Sequence, residues 1–237
     1  MILHRTAVIT RPGAPSRRGE VDAVRTVLER ELHAGRLDAV VSLEGPATLD
    51  GGDVLICQGG PPDPPPGAPG ATGSARVRDR RPLVLVGRSN RTNEAGIAQL
   101  AACLGDQATV VALSLPGAGL HLKSIVSALD EETLVVAAEA SAFLREELER
   151  AIVHTNVKTD AGMQLSTSRW HWQWIEVPSL LASNVVRVRG TVLGQGDEAA
   201  RQILQRACDV RGLRLEWVDM SETAKADGAL TCCSVLF

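Results

Sequence analysis

Tyrosine is absent from the sequence, which holds only two phenylalanines and four tryptophans in 237 residues. A core with so few aromatics has to rest on Val, Leu, Ile and Ala. A basic surplus is missing as well. The formal net charge is -3, which argues against a general nucleic-acid binder. No apolar run approaches the ~18 residues of a membrane span. The opening "MILHRTAVITRPG" meets Arg5 and then Pro12-Gly13, which is not a signal-peptide pattern. Neither GxGxxG after a strand nor GxxxxGK[ST] occurs, so nucleotide binding has no support. The cysteines are Cys57, Cys103, Cys208, Cys232 and Cys233. They form no CxxC pair and have no histidine at zinc-finger spacing, so no metal site is expected. A reducing, cytoplasmic setting with free thiols is the expectation. The adjacent Cys232 and Cys233 are also held poorly for bridging each other.

What is present is a rhythm of strands and helices. "TAVIT" (6–10), "LDAVVSL" (37–43), "LVLVG" (83–87) and "ATVVALSL" (108–115) are runs of strand length and composition. "IVSAL" and "TLVVAA" read as two strands joined by a polar turn. "NVVRVRG" and "LRLEWVDM" read as later strands. Apolar Val21, Val24, Val27 and Leu28 recur at helical spacing, which predicts a helix over 20–32. Ile97, Leu100 and Leu104 predict a second, after the cap-rich "SNRTN". "SAFLREELERAI" predicts a third, capped by Ser141. "DEAARQILQRACDVRG" predicts a fourth, with acid at its start and Arg-Gly at its end. The alternation means α/β or α+β.

Two segments break the rhythm. Residues 58–81, "QGGPPDPPPGAPGATGSARVRDRR", are Pro/Gly-rich and then basic, and predict a disordered loop. Residues 154–174 are polar and then Trp-dense, and predict an irregular insertion. Trp170, Trp172 and Trp174 alternate, so a strand would set all three on one face.

Several polar residues lie in unexpected company. Asp50 and Asp53 flank Gly51-Gly52, where turn chemistry is the plain reading. His121 sits between leucines, as a satisfied core histidine would. Arg91 opens a predicted helix, where a cation is disfavoured by the dipole. Cys232 reads equally as a small buried hydrophobe. Taken together, a thiol, an imidazole and a carboxylate form the set that thiolate catalysis needs.

The segments "RPGAPSRRGEVD", "ATLDGGDVL", "VGRSNRTNEAG", "GLHLKSIVSAL" and "DGALTCCSVL" follow one another in this order. They resemble the dimethylarginine dimethylaminohydrolases of the animal type, within the guanidine-modifying superfamily. The resemblance runs from Thr6 to Leu236 outside the two irregular segments. It implies a single pentein-type α/β propeller of ββαβ modules, about four of five present, lacking the N-terminal module. It implies hydrolysis of asymmetric dimethylarginine and monomethylarginine to citrulline and the methylated amine, which relieves inhibition of nitric oxide synthesis. No cofactor is implied. The partners implied are a small-molecule substrate, neither nucleic acid nor membrane, and a monomer or homodimer. Carried onto this chain, the nucleophile is Cys232, the general acid and base is His121, and the acid that orients it is Asp50. Arg17 and Arg91 hold the substrate carboxylate, and Asp227 also binds substrate. Cys233 is expected to point away and pack.

The resemblance has departures. The absent module carries the carboxylates that grip the substrate guanidinium. The two irregular segments also lengthen connections that are short in the family, which loop-closure entropy tolerates. A second reading therefore stands beside the hydrolase: a catalytically impaired member, an interaction protein or a non-functional splice or gene-model product. An arginine deiminase relative is a third, less favoured by "LDGGD" and "TCCS".

Overall fold

The computed structural model describes residues 1–57, 82–117, 121–130, 133–158 (side chains to 152) and 172–234. The Pro-rich stretch 58–81, most of the Trp-dense one and Trp170 lie outside the described residues.

Twelve strands form four three-stranded sheets. The first holds β1 (Ile2–Leu3), β2 (Thr6–Ile9) and β3 (Ala39–Ser42), with helix α1 (Glu20–His33) between β2 and β3. The second holds β4 (Val54–Cys57), β5 (Leu83–Arg88) and β6 (Thr109–Ser114), with α2 (Glu94–Leu104). The third holds β7 (Val126–Ala128), β8 (Thr133–Ala137) and β9 (Gln173–Val177), with α3 (Ala138–Lys158). A short α4 (Leu180–Ser183) leads into the fourth, β10 (Val186–Val188), β11 (Thr191–Gly194) and β12 (Arg214–Trp217), with α5 (Glu198–Val210). In every sheet the first two strands pair antiparallel, and the third returns parallel after the helix. Four ββαβ modules result, as the resemblance implies.

Strand alternation decides how the modules stack. On β5, Leu83 and Leu85 enter one core with Leu144 and Leu148 of α3. Val84 and Val86 enter another core, with Ile97, Leu100 and Leu104 of α2 and with Val8 and Leu43 of the first module. On β8, Leu134 and Val136 face α3, while Val135 meets Leu204 and Cys208 of α5. Successive side chains of a strand point to opposite faces, so a central strand that is apolar throughout is buried on both. Each fully buried leucine contributes about 1.5–3 kcal/mol of hydrophobic stabilisation. The helices α2, α3 and α5 thus lie between neighbouring sheets. By contrast, α1 buries Leu28 against its own sheet and leaves Val24 and Val27 about half exposed.

Three expectations need correction. Ser141 does not cap α3. The helix starts at Ala138, directly after β8, and the Ser141 hydroxyl donates to Glu176 of β9 at 2.6 Å. The stretch 154–174 is not irregular throughout: its first residues continue α3 to Lys158, and its last begin β9. Trp172 and Trp174 pack against the core, and the Arg145 guanidinium lies 4.2 Å from the Trp174 ring centroid. Arg91 lies ahead of α2 and outside its first turn, because Asn93 is the cap and accepts from the Gly96 N–H at 2.8 Å. The dipole therefore does not act on Arg91 as expected. Among the described residues no helix is long and apolar enough to cross a membrane.

Candidate active site

A short helical turn stands ahead of the first strand in three modules: Gly51–Asp53 before β4, Leu122–Ser124 before β7, and α4 before β10. A further turn, Leu230–Cys233, closes the described chain. Asp50 and His121 occupy the same place in their repeats. Each is the extended residue immediately before its turn. Cys232 lies inside its own turn.

Asp53, with no exposure, locks the first two turns together. Its Oδ2 accepts from the Ser89 and Thr92 hydroxyls, both at 2.6 Å, and its Oδ1 from the Leu122 N–H at 3.0 Å. A buried carboxylate is tolerable only when its oxygens are met in this way. Thr92 in turn accepts from the Asp50 N–H at 3.1 Å. The motifs "LDGGD", "SNRTN" and "HLKS" are therefore one hydrogen-bonded unit.

Asp50 is 4% exposed. Its Oδ1 accepts from the Gly13 N–H at 2.9 Å. Its Oδ2 lies 3.3 Å from His121 Nε2 and 3.5 Å from Arg17 Nη1. The contact with His121 is an ion-pair distance, and the two atoms do not meet hydrogen-bond geometry. Burial opposes ionisation of Asp50, but His121, the Gly13 N–H and Arg17 outweigh it and hold its pKa below the ordinary carboxylate value. The same partner raises the imidazole: Asp50, aided by the charge of Asp53, lifts His121 above its ordinary value against burial and the charge of Arg91. Gly52 sits so close to the ring that an added Cβ would lie 2.8 Å from His121 Cγ. Only glycine lets the carboxylate and the imidazole approach across this turn.

The other predicted residues are placed as follows. Arg17 faces Asp50 but is gripped by Glu20 through two bonds, Nε to Oε1 at 3.0 Å and Nη2 to Oε2 at 2.9 Å. Arg17, Asp50, Val8 and Leu49 line a cavity of about 150 Å³. Arg91 is exposed, near enough to His121 for its charge to act on the ring. Asp227 is exposed at φ +55°, in the turn after a short helix α6 (Ser221–Ala224). Cys232 is exposed and lies within electrostatic reach of both Arg17 and Lys123. Burial lowers the Lys123 ammonium, and Cys232 and Asp53 partly restore it. Cys233 does not pack. It is exposed beside Cys232, because the 3-10 turn turns both thiols outward.

Asn184 was not singled out from the sequence. Its amide nitrogen donates to the Lys123 carbonyl and to Thr231 Oγ1, and its Oδ1 accepts from the Thr231 N–H, all at 2.9 Å. The signal lay in "LASNVV", which repeats the pattern of polar turn before apolar strand seen in "LDGGDV" and "HLKSIV". Among the described residues no cluster of His, Cys, Asp and Glu has the makings of a metal site.

No family model matches the chain. It is 28% identical to a Pseudomonas aeruginosa protein named N(G),N(G)-dimethylarginine dimethylaminohydrolase, over 98% of this chain and 72% of that protein. It is 36% identical to a Streptomyces coelicolor protein of the same name, over 57% of this chain and 42% of that one. Among solved structures, the Pseudomonas aeruginosa enzyme, as a cysteine-to-serine variant complexed with citrulline, superposes with a TM-score of 0.67 at 24% identity. That match covers 98% of this chain and 71% of that one. In sequence, then, the chain is similar to proteins named dimethylarginine dimethylaminohydrolase, and in fold it is a pentein-type α/β propeller.

Proposed function

We propose that the chain hydrolyses Nω,Nω-dimethyl-L-arginine and Nω-monomethyl-L-arginine to L-citrulline and dimethylamine or methylamine. One observation carries this reading. Asp53 accepts the Leu122 N–H and Asn184 joins Lys123 to Thr231, so the Asp50–His121 pair and the Cys232 thiol belong to one locus. The likeness to two proteins named for this activity supports it.

The chemistry follows from the groups. The Cys232 thiolate attacks the guanidinium carbon and an S–C bond forms. The C–N bond to dimethylamine breaks while His121, held protonated by Asp50, gives its proton to the leaving nitrogen. Without that proton the amine would have to leave as an anion. A thiouronium adduct remains on sulfur. Neutral His121 then takes a proton from water, the hydroxide adds to the same carbon, and the C–S bond breaks. The added hydroxyl gives its proton to solvent as the carbonyl forms, citrulline leaves, and the thiolate and protonated His121 are restored. A raised His121 pKa suits the first transfer. Arg17 and Arg91 hold the substrate carboxylate through their planar forks, with Asp227 at a cationic group of the substrate. In the cell this removes methylated arginine and relieves inhibition of nitric oxide synthesis.

One observation favours a second reading, a non-catalytic relative. Glu20 occupies Arg17, and Asp50 and Asp53 are both engaged within the protein. A citrulline-release assay with dimethylarginine decides between them. Turnover by folded protein is expected. Folded protein that neither turns over nor binds dimethylarginine in calorimetry leaves only the second reading.

A further inference from the structure

We propose that Asn184 is a positioning residue that sets the Cys232 turn in register with the His121 turn. This rests on the reading of Cys232 as nucleophile and His121 as its proton partner. The residue is 4% exposed and belongs to neither turn. It stands at the end of α4, 61 residues from Lys123 and 47 from Thr231. An asparagine amide offers two donor hydrogens and an acceptor oxygen. Here the nitrogen is shared between the Lys123 carbonyl and Thr231 Oγ1, while the oxygen takes the Thr231 N–H. Lys123 is two residues past His121, and Thr231 is the residue before Cys232. One planar group therefore bridges the two segments that must meet.

The clamp is unevenly supported, and that gives it a role beyond stability. On the His121 side, α4 has other ties. The Ser183 hydroxyl donates to the Leu180 and Ser124 carbonyls, and the Ser127 hydroxyl donates to the Ser183 carbonyl at 2.6 Å and accepts from the Val185 N–H. The Asn184 carbonyl accepts from Gln195. On the Cys232 side, the remaining bonds are local, from the Cys232 and Cys233 N–H groups to the Ala229 carbonyl. Among the described residues no other side chain hydrogen-bonds the Leu230–Cys233 turn. Removing the amide should leave α4 seated and free the Cys232 turn to drift. Displacing a reacting atom by about 1 Å can cost about 100-fold in rate.

The test uses the two adjacent thiols as a built-in pair. Both are exposed, and one tryptic peptide reports both after limited alkylation with iodoacetamide. The wild-type ratio of the two alkylation rates at neutral pH is the reference, because a turn held in register presents each thiol in one fixed setting. Asn184→Ala should shift that ratio several-fold, and Thr231→Val should shift it in the same direction, while Thr231→Ser should keep it because the hydroxyl is retained. In citrulline release, Asn184→Ala should lower kcat about 10- to 100-fold with KM nearly unchanged. Should Asn184→Ala fail to fold, the Thr231 pair carries the comparison. An unaltered ratio in folded Asn184→Ala or Thr231→Val overturns the proposal. Alkylation needs no turnover. A chain that releases no citrulline but shifts its thiol ratio in Asn184→Ala would remove the hydrolase reading and leave the clamp standing.

Discussion

The two halves of the candidate site are built differently. The Asp50–His121 half is sunk between modules and cross-linked by a fully buried carboxylate, Asp53, that accepts three hydrogen bonds. The Cys232 half is a turn with both thiols exposed and Leu230 buried, and among the described residues one asparagine side chain hydrogen-bonds it. His121 is fixed by the fold, whereas Cys232 is presented by a turn that, among the described residues, one asparagine side chain hydrogen-bonds. Damage to the first half should therefore register in stability as well as rate, and damage to the second in rate alone.

The largest effect expected is on the second half. Cys232→Ser should reduce citrulline release by at least about 1000-fold, with the urea midpoint unchanged because the thiol is exposed. A parallel loss of stability would erase the contrast between the halves. Next in size is Asp53→Ala, which strands the Ser89 and Thr92 hydroxyls and the Leu122 N–H in the interior. It should cost about 3–5 kcal/mol by urea unfolding, although Asp53 touches no substrate in the proposed reaction. A cost within the range of surface substitutions would show that the three motifs do not depend on it. Smaller again is Gly52→Ala. Its Cβ would meet the imidazole at 2.8 Å, so the ring must shift. A loss of about 1–3 kcal/mol is expected, read as a lower melting temperature with reduced kcat.

The pH response sharpens the comparison further. His121 is raised by Asp50, so its contribution to stability is fully present below the ordinary imidazole value and is lost as pH rises through the raised value. Asp50 is lowered, so its contribution is present above the ordinary carboxylate value and is lost as pH falls through the lowered one. The pair thus stabilises the fold over a window bounded by those two groups. In Asp50→Asn, the His121 ring protons observed by NMR should titrate at lower pH than in the wild type. An unmoved titration would mean that Asp50 does not set the imidazole charge. The smallest effect belongs to Cys233→Ser, which should keep most turnover and all stability. A large loss would mean that the two thiols share the work.

Much of this organisation was legible in the sequence. Strands such as "LVLVG" are apolar at every position, and only a doubly covered strand can be so. The caps "TN" before α2 and "D" before α5 place helix starts through side-chain oxygens that reach N–H groups three residues on. Less legible was anything that depends on a partner distant along the chain. Ser141 looks like a cap because serine is a good one, yet Glu176, brought alongside by β9, takes its hydroxyl. Cys233 looks buried because Val235, Leu236 and Phe237 follow it, yet the local turn exposes it. Arg17 reads as a free anion-binding fork until Glu20, one helical turn on, fills it. Asn184 carries no local sign of its two distant partners.

The repeated turns that head the modules have an evolutionary consequence. Most of the leucines and valines that fill the cores lie within strands and helices, but the turns that carry Asp50, His121 and Cys232 also hold or adjoin the buried Leu49, Leu122 and Leu230. The exposed Cys232 can be exchanged without disturbing a neighbouring core, whereas the buried Asp50 cannot, so stability and chemistry are separable at one turn and bound together at the other. The Cys232 turn acts as a socket that a lineage can refit, while the Asp50–His121 turns are part of the frame that holds it.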